Sequence, residues 1–173
     1  MLIAYRCRVC GETYLGEEKP KDCPYCGADK IYLQQVEEYD RLKPDSISKK
    51  SEGNIRKAIN LEIDNAKFYV CASKKTKDEK ESAIFKRLAK IEAEHAEALA
   101  ELLEIEEKDI PDYKECSEDA IENYQESHNR EERAIGHYKK FATEAEEKDL
   151  EVFFNAIAKI ESDHLELSES KLS

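Results

Sequence analysis

The stretch LAKIEAEH (Leu88–His95) returns 69 residues later as IAKIESDH (Ile157–His164), with five of its eight positions identical. Sliding the second half of the chain back by 69 residues sets Glu62 on Glu131, Tyr69 on Tyr138, Phe85 on Phe154, Glu92 on Glu161 and His95 on His164. Within each copy, apolar and alanine positions such as Ile55, Ala58, Ile59, Ala66 and Tyr69 keep a spacing of three to four, the period of an amphipathic helix. The repeat is therefore one helical hairpin written twice. It predicts four helices over about 52–75, 79–106, 117–146 and 148–170.

Turn positions explain the spacing of the repeated polar residues. The midpoint between Glu62 and Glu92 falls in the polar break Thr76-Lys77-Asp78, and that between Glu131 and Glu161 falls at Glu146. Folding each hairpin there brings its two glutamates to one height. Glu and His at i and i+3 share a helix face, so each hairpin offers Glu, Glu and His at one level. Two facing hairpins offer four carboxylates and two imidazoles: Glu62, Glu92, His95, Glu131, Glu161 and His164. That set suits two iron or manganese ions, as in ferritin-like carboxylate bundles. A single Glu-x-x-His is commonplace on a solvated helix; two in the same frame, each 30 residues after another Glu, are not.

Residues 1–36 are of another kind. They hold five Lys or Arg against five Asp or Glu, so the whole acidic excess behind the net charge of -12 lies beyond them. They also carry four of the six cysteines, in Cys7-x-x-Cys10-Gly11 and Cys23-Pro24-Tyr25-Cys26-Gly27. Two such pairs read as one tetrahedral metal site. A segment this short cannot bury enough apolar surface to fold unaided, so the metal contributes the missing stability. Each following glycine can take a positive φ, turning backbone N–H groups toward the sulfurs. Leu2–Tyr5 and Ile31–Leu33 read as two closing strands. Thiolate ligation alone does not separate zinc from iron.

Residues 37–53, with Pro44 and three serines, read as a linker. The chain thus divides into a metal-binding unit (1–36), a linker (37–53) and a bundle (54–173). Charged residues make up 39% and the mean hydropathy is -0.80, far from the roughly 20 apolar residues of a membrane span. MLIAYRCRVC lacks the features of a secretory signal, so the expected location is the cytoplasm, away from membranes. The net negative charge argues against a nucleic-acid partner.

The front segment resembles a short rubredoxin, with aromatic neighbours Tyr5, Tyr14 and Tyr25 and only 12 residues between Cys10 and Cys23. Joined to the doubled Glu…Glu-x-x-His hairpin, it resembles the rubrerythrin family in its "reverse" order, rubredoxin-like unit first. The resemblance covers nearly the whole chain. It implies a mainly α fold: a ferritin-like four-helix bundle with a small N-terminal rubredoxin-like β domain. It implies a mononuclear iron on Cys7, Cys10, Cys23 and Cys26, with zinc the alternative. It implies a di-iron centre on the six repeated residues, with manganese or a mixed pair open. The family activity is peroxide reduction: the diferrous site gives two electrons to H₂O₂, yielding water, and the front iron refills it. The alternative function is a ferroxidase that stores or buffers iron, though a storage protein has no evident need of the front iron. A third reading, a zinc-stabilised interaction protein, leaves the six matched positions unexplained. No nucleotide-binding glycine loop occurs among the five glycines, so a separate donor, an NAD(P)H-dependent reductase or a rubredoxin, supplies electrons.

Three positions stand beside the ligands. Family members often carry a glutamate one turn before the third-helix ligand, where this chain has His128. Two readings stand for it: a seventh ligand or proton donor near bound peroxide, or a solvent-facing or hydrogen-bonded histidine. Tyr69 and Tyr138, two turns from Glu62 and Glu131, either hydrogen-bond ligand carboxylates or simply pack. His137 reads as a surface residue. Cys71 and Cys116 have no motif partner and read as structural, Cys116 the more exposed.

For the hairpins to face each other the second and third helices must run parallel. The ten residues from Glu107 to Cys116 reach roughly 33–36 Å, against about 39 Å to cover by helix rise. The expectation is a homodimer in which hairpins are exchanged between chains.

Overall fold

Three short strands gather the front cysteines in the computed structural model, which describes residues 1–106 and 115–173. Strand β1 (Ile3–Cys7) is central and pairs antiparallel with β2 (Thr13–Gly16) and β3 (Leu33–Gln35). The expected second strand, Ile31–Leu33, is displaced and shares only Leu33 with β3: Lys30–Tyr32 is a 3-10 turn, where the Asp29 side chain accepts from the Ile31 amide (2.9 Å). Strand β2 was not expected. Its four residues, of which two are exposed, are too short a run for alternation to be read.

Gly11 and Gly27 take φ of +85° and +84°, as the glycines following the cysteine pairs should. Their amides donate to the carbonyls of Cys7 and Cys23 (2.9 Å each). Gly27 has a second constraint, since a Cβ there would stand 3.3 Å from Ile160 Cγ2 of the bundle.

The bundle comprises α1 (Lys49–Lys75), α2 (Glu79–Leu102), α3 (Ala120–Glu144) and α4 (Lys148–Leu172). Ser48 caps α1 through the Ser51 amide, Asp78 caps α2 through the amides of Lys80 and Glu81, and Asp119 caps α3 through Ile121. Helix α1 thus starts inside the segment read as linker. Its first turn is held from outside: Glu147, at the head of α4, accepts from Ser48 N and Ser51 Oγ. The two interhelical turns fall at residues 76–78 and 145–147, where the repeat put them.

Helices α1 and α2 form one hairpin and α3 and α4 the other. Asn54 on α1 donates to Glu144 on α3 (3.0 Å), while Tyr69 meets Ser127 (2.7 Å) and Asn123 meets Thr76 (3.4 Å). Rising numbers on α1 meet falling numbers on α3, so those two are antiparallel and α2 runs parallel to α3. The connection this demands runs over residues 103–119; residues 107–114 of it lie outside the described residues, and the expected exchange of hairpins falls with them.

The metal-binding unit shares a core with the bundle: Val9, Leu33 and Leu42 are buried in one cluster with Ile55, Leu102 and Ile160. Arg41 pairs with Glu101 and Lys43 with Glu104 (3.0 Å) across the junction. No helix among the described residues is long and apolar enough to cross a membrane.

Cys71 and Cys116 are not two separate structural cysteines. They form a disulfide (Cα–Cα 6.0 Å) tying α1 to the segment that enters α3. Neither has a motif around it, and 45 residues separate them, so only the folded hairpin brings them together. Closing a loop of that length removes about 4 kcal/mol of unfolded-chain entropy. Cys116→Ser should therefore destabilise the oxidised protein by roughly 2–4 kcal/mol in denaturant melts and leave the reduced protein unchanged. The same bond reports on hairpin exchange: in a swapped dimer it would join two chains, doubling the mass on a non-reducing gel.

Candidate metal centres

Two pairs of sulfurs converge behind β1. Cys7 Sγ lies 3.8 Å from Cys26 Sγ, and Cys10 Sγ 3.8 Å from Cys23 Sγ. A tetrahedral ion with metal–sulfur bonds of about 2.3 Å has edges of about 3.8 Å, so the cluster has the size of one tetrahedral metal. All four residues are buried. Thiols this close contend for protons: the contact between Cys10 and Cys23 pushes the first far up and the second far down. A cation lets all four ionise.

The second centre lies at mid-height in the bundle. One set of ligand atoms comes from Glu62, Glu92, His95 and Glu161, and a second from Glu92, Glu131, Glu161 and His164; within each set the atoms lie within 4.8 Å of one another. The sets share Glu92 and Glu161, so those two carboxylates stand between two ion positions. Glu62 with His95, and Glu131 with His164, stand at the outer ends. All six predicted residues are brought together, and all are buried.

Unsatisfied atoms test whether metals fit. Glu62 Oε2, both Glu92 oxygens, Glu131 Oε2, both Glu161 oxygens, His95 Nδ1 and His164 Nδ1 are buried without a hydrogen-bond partner. Eight orphans converging in one cavity would be costly in an ordinary core. They are the donor set of two hard-to-borderline cations. Electrostatics agree. Burial, then Glu161 and Glu92, raise the carboxyls of Glu62 and Glu131 well above the usual range. Burial also opposes charge on Glu92 and Glu161, yet the facing histidines hold both below it. Against its own burial, His164 is pushed up to about 10 by Glu161 and Glu92. His95 rises well above its ordinary value, also against burial, under Glu161, Glu62 and Glu92. The protein protons stand in for missing positive charge.

Surrounding bonds orient the ligands. Tyr69 OH donates to Glu131 Oε1 and also meets Ser127 Oγ (2.7 Å); Tyr138 OH donates to Glu62 Oε1. Each tyrosine thus reaches across to the glutamate of the other hairpin. On the far side of His95, Nε2 lies 2.9 Å from the carbonyl oxygen of Cys26, at the front centre. A carbonyl only accepts, so Nε2 carries the proton and Nδ1 is left for a metal.

His128 is half-buried, stands in neither ligand set, and its Nδ1 has no partner. The neighbouring Ser127, not His128, makes the contact with Tyr69. His137 is exposed and stacks on Phe141. Sequence reasoning passed over Ser127 and also Arg87, which donates to the carbonyls of Pro24 and Tyr25 (2.9 Å to the latter); neither carries a motif.

A four-helix bundle with two carboxylate–histidine ion positions, joined to a four-cysteine site, defines the class of ferritin-like di-metal proteins with a rubredoxin-like unit. The chain belongs to the rubrerythrin family: the family model "Rubrerythrin" matches residues 53–170, and "Rubrerythrin, rubredoxin-like domain" matches residues 5–34. The rubredoxin-like unit comes first, as the sequence suggested. The chain is similar to reverse rubrerythrin-1 of Clostridium acetobutylicum, 30% identical over 110 residues, covering 57% of this chain and 61% of that protein. The chain thus spans about three-fifths of the relative's length. The four cysteines suit a rubredoxin-type iron, and the carboxylate–histidine cluster suits the di-iron site of the family.

Proposed function

We propose that the chain is an oxidoreductase that reduces hydrogen peroxide to water, with electrons relayed through the front centre from a separate donor. The observation that carries this reading is the His95–Cys26 contact of 2.9 Å. One imidazole joins the two centres: its Nδ1 faces the di-metal carboxylates and its Nε2–H is held by a front cysteine's carbonyl. Such a bond fixes the imidazole tautomer in any metal site, but only an electron-fed site also gains from a short path between the two centres. Bound iron supplies the redox chemistry, two electrons per peroxide from the bundle pair and one at a time from the front site. The chain's part is to hold His95 in one tautomer, to fix Glu62 and Glu131 through Tyr138 and Tyr69, and to bury the six ligands from bulk water. Tyr69 and Tyr138 also place O–H groups beside the ligands, each hydrogen-bonded to a ligand glutamate.

The test is to reduce the iron-loaded protein anaerobically, mix it rapidly with H₂O₂ and follow the iron–thiolate absorbance. The expected result is return of the oxidised colour within the peroxide turnover, at two front-site equivalents per H₂O₂. Colour returning far more slowly than peroxide disappears would overturn the relay and favour iron oxidation or storage.

A further inference from the structure

The tip of the first hairpin is basic on an acidic protein. Residues 67–90 hold eight Lys or Arg against three Asp or Glu, a local excess of five positive charges where the whole chain carries -12. On the outer face of this hairpin α1 and α2 leave a groove of about 540 Å³, with Val70, Ala89 and Ala93 on its floor and Lys86 and Lys90 among its rim. Both lysines are exposed, and neither is ion-paired among the described residues. Three of the eight, Lys74, Lys86 and Lys90, line this one groove and give it a positive potential on a molecule that otherwise repels anions.

This face is continuous with the front centre. Arg87, one residue from Lys86 and three from Lys90, grips the carbonyls of Pro24 and Tyr25, inside the Cys23–Cys26 loop. Pro24 and Tyr25 are exposed while both cysteines are buried, so this loop is a thin cover between thiolates and solvent. The same loop presents Cys26 O to His95. Its outer side meets solvent beside a cationic groove, and its inner side meets the di-metal centre.

We propose that the groove rimmed by Lys86 and Lys90 is the docking surface for an acidic electron-carrier protein, which delivers electrons at the Pro24–Tyr25 loop. In each encounter the carrier loses one electron and the ferric front site gains it, with no bond made or broken. The proposal rests on the relay reading above. Charge complementarity selects the carrier's acidic face, and the small apolar floor gives it a place to sit once steered.

The test uses an acidic rubredoxin as probe, titrated calorimetrically into the oxidised, iron-loaded protein at low and at physiological ionic strength. No peroxide is present, so failure of the peroxidase reading cannot be mistaken for failure of docking. Binding is expected to weaken with salt, and K86E/K90E to weaken it by about tenfold or more. The rate at which reduced rubredoxin bleaches the front iron, below saturation, should fall by a similar factor. The control K57E/K139E changes net charge equally at exposed lysines elsewhere and should leave binding within about twofold. Equal loss in both double variants, or in neither, would overturn the proposal. So would a dimer in sedimentation that K86E/K90E dissociates, since a second copy would then occupy the groove.

Discussion

Glu161→Ala is expected to empty both positions of the di-metal centre, whereas Glu62→Ala should empty only one. The asymmetry follows from the ligand sets, because Glu161 contributes to both and Glu62 to one. Wild-type protein should hold two bundle ions per chain by elemental analysis, the Glu62 variant about one, and the Glu161 variant close to none. Peroxide turnover should fall at least about a hundredfold in the Glu161 variant, since even losing a residue that merely supports a ligand costs 10- to 100-fold. Apo-protein stability should fall as well. In the metal-free chain His164 and His95 hold Glu161 below the usual carboxylate range against its burial, so at neutral pH its charge contributes stability that a neutral side chain forfeits. Glu161→Gln keeps the volume and removes that charge, so the apo melting temperature should drop by about 2–4 °C for each kcal/mol lost. An apo-protein stabilised by that change would mean that repulsion from Glu62 and Glu131, not pairing with the histidines, dominates the empty site.

The ligands were legible because the chain writes them twice. Glu-x-x-His at positions 92–95 carries little alone; its recurrence at 161–164, in frame with Glu62 and Glu131, fixes helix count, turn positions and facing register together. The front site was legible because Cys-x-x-Cys-Gly is a local structure, in which the turn that aims the sulfurs also needs the positive φ found at Gly11 and Gly27. What escaped depends on packing between elements. Tyr69 lies on the same helix face as Glu62, yet it serves Glu131, because antiparallel α1 and α3 bring residue 69 level with 127 and 131. The Cys71–Cys116 bond escaped for the same reason, since 45 residues and a folded hairpin stand between its ends. His128 stood one turn before a ligand by helix periodicity, which left both of its readings open; a step of one residue, about 100° of rotation, decides which neighbour meets Tyr69, and here that is Ser127.

Removing the front metal should unfold the front unit and loosen the di-metal centre without melting the bundle. In C7S/C10S the tetrahedral site is lost, and the apolar contacts of Val9 and Leu33 with the bundle are too few to hold β1 between β2 and β3 without it. Amide exchange at Tyr5 and Cys7 is expected to accelerate by on the order of a thousandfold, the equivalent of about 4 kcal/mol. The helices should keep their protection, because the bundle has an aromatic core of its own in Phe68, Tyr69, Phe85 and Tyr124. The distinctive consequence lies in the bundle. Once the Cys23–Cys26 loop is free to leave, His95 loses the carbonyl that holds its proton on Nε2. The ring can then place its proton on Nδ1, where it competes with the ion, so affinity at the Glu62–His95 position should drop by about 10- to 100-fold. The Glu131–His164 position, which has no bond to the front unit, should change little. If both positions weakened equally, the loss would be general loosening of the bundle. If neither did, the buried carboxylates facing Nδ1 would be sufficient to hold the imidazole, and the Cys26 carbonyl would serve the electron path alone.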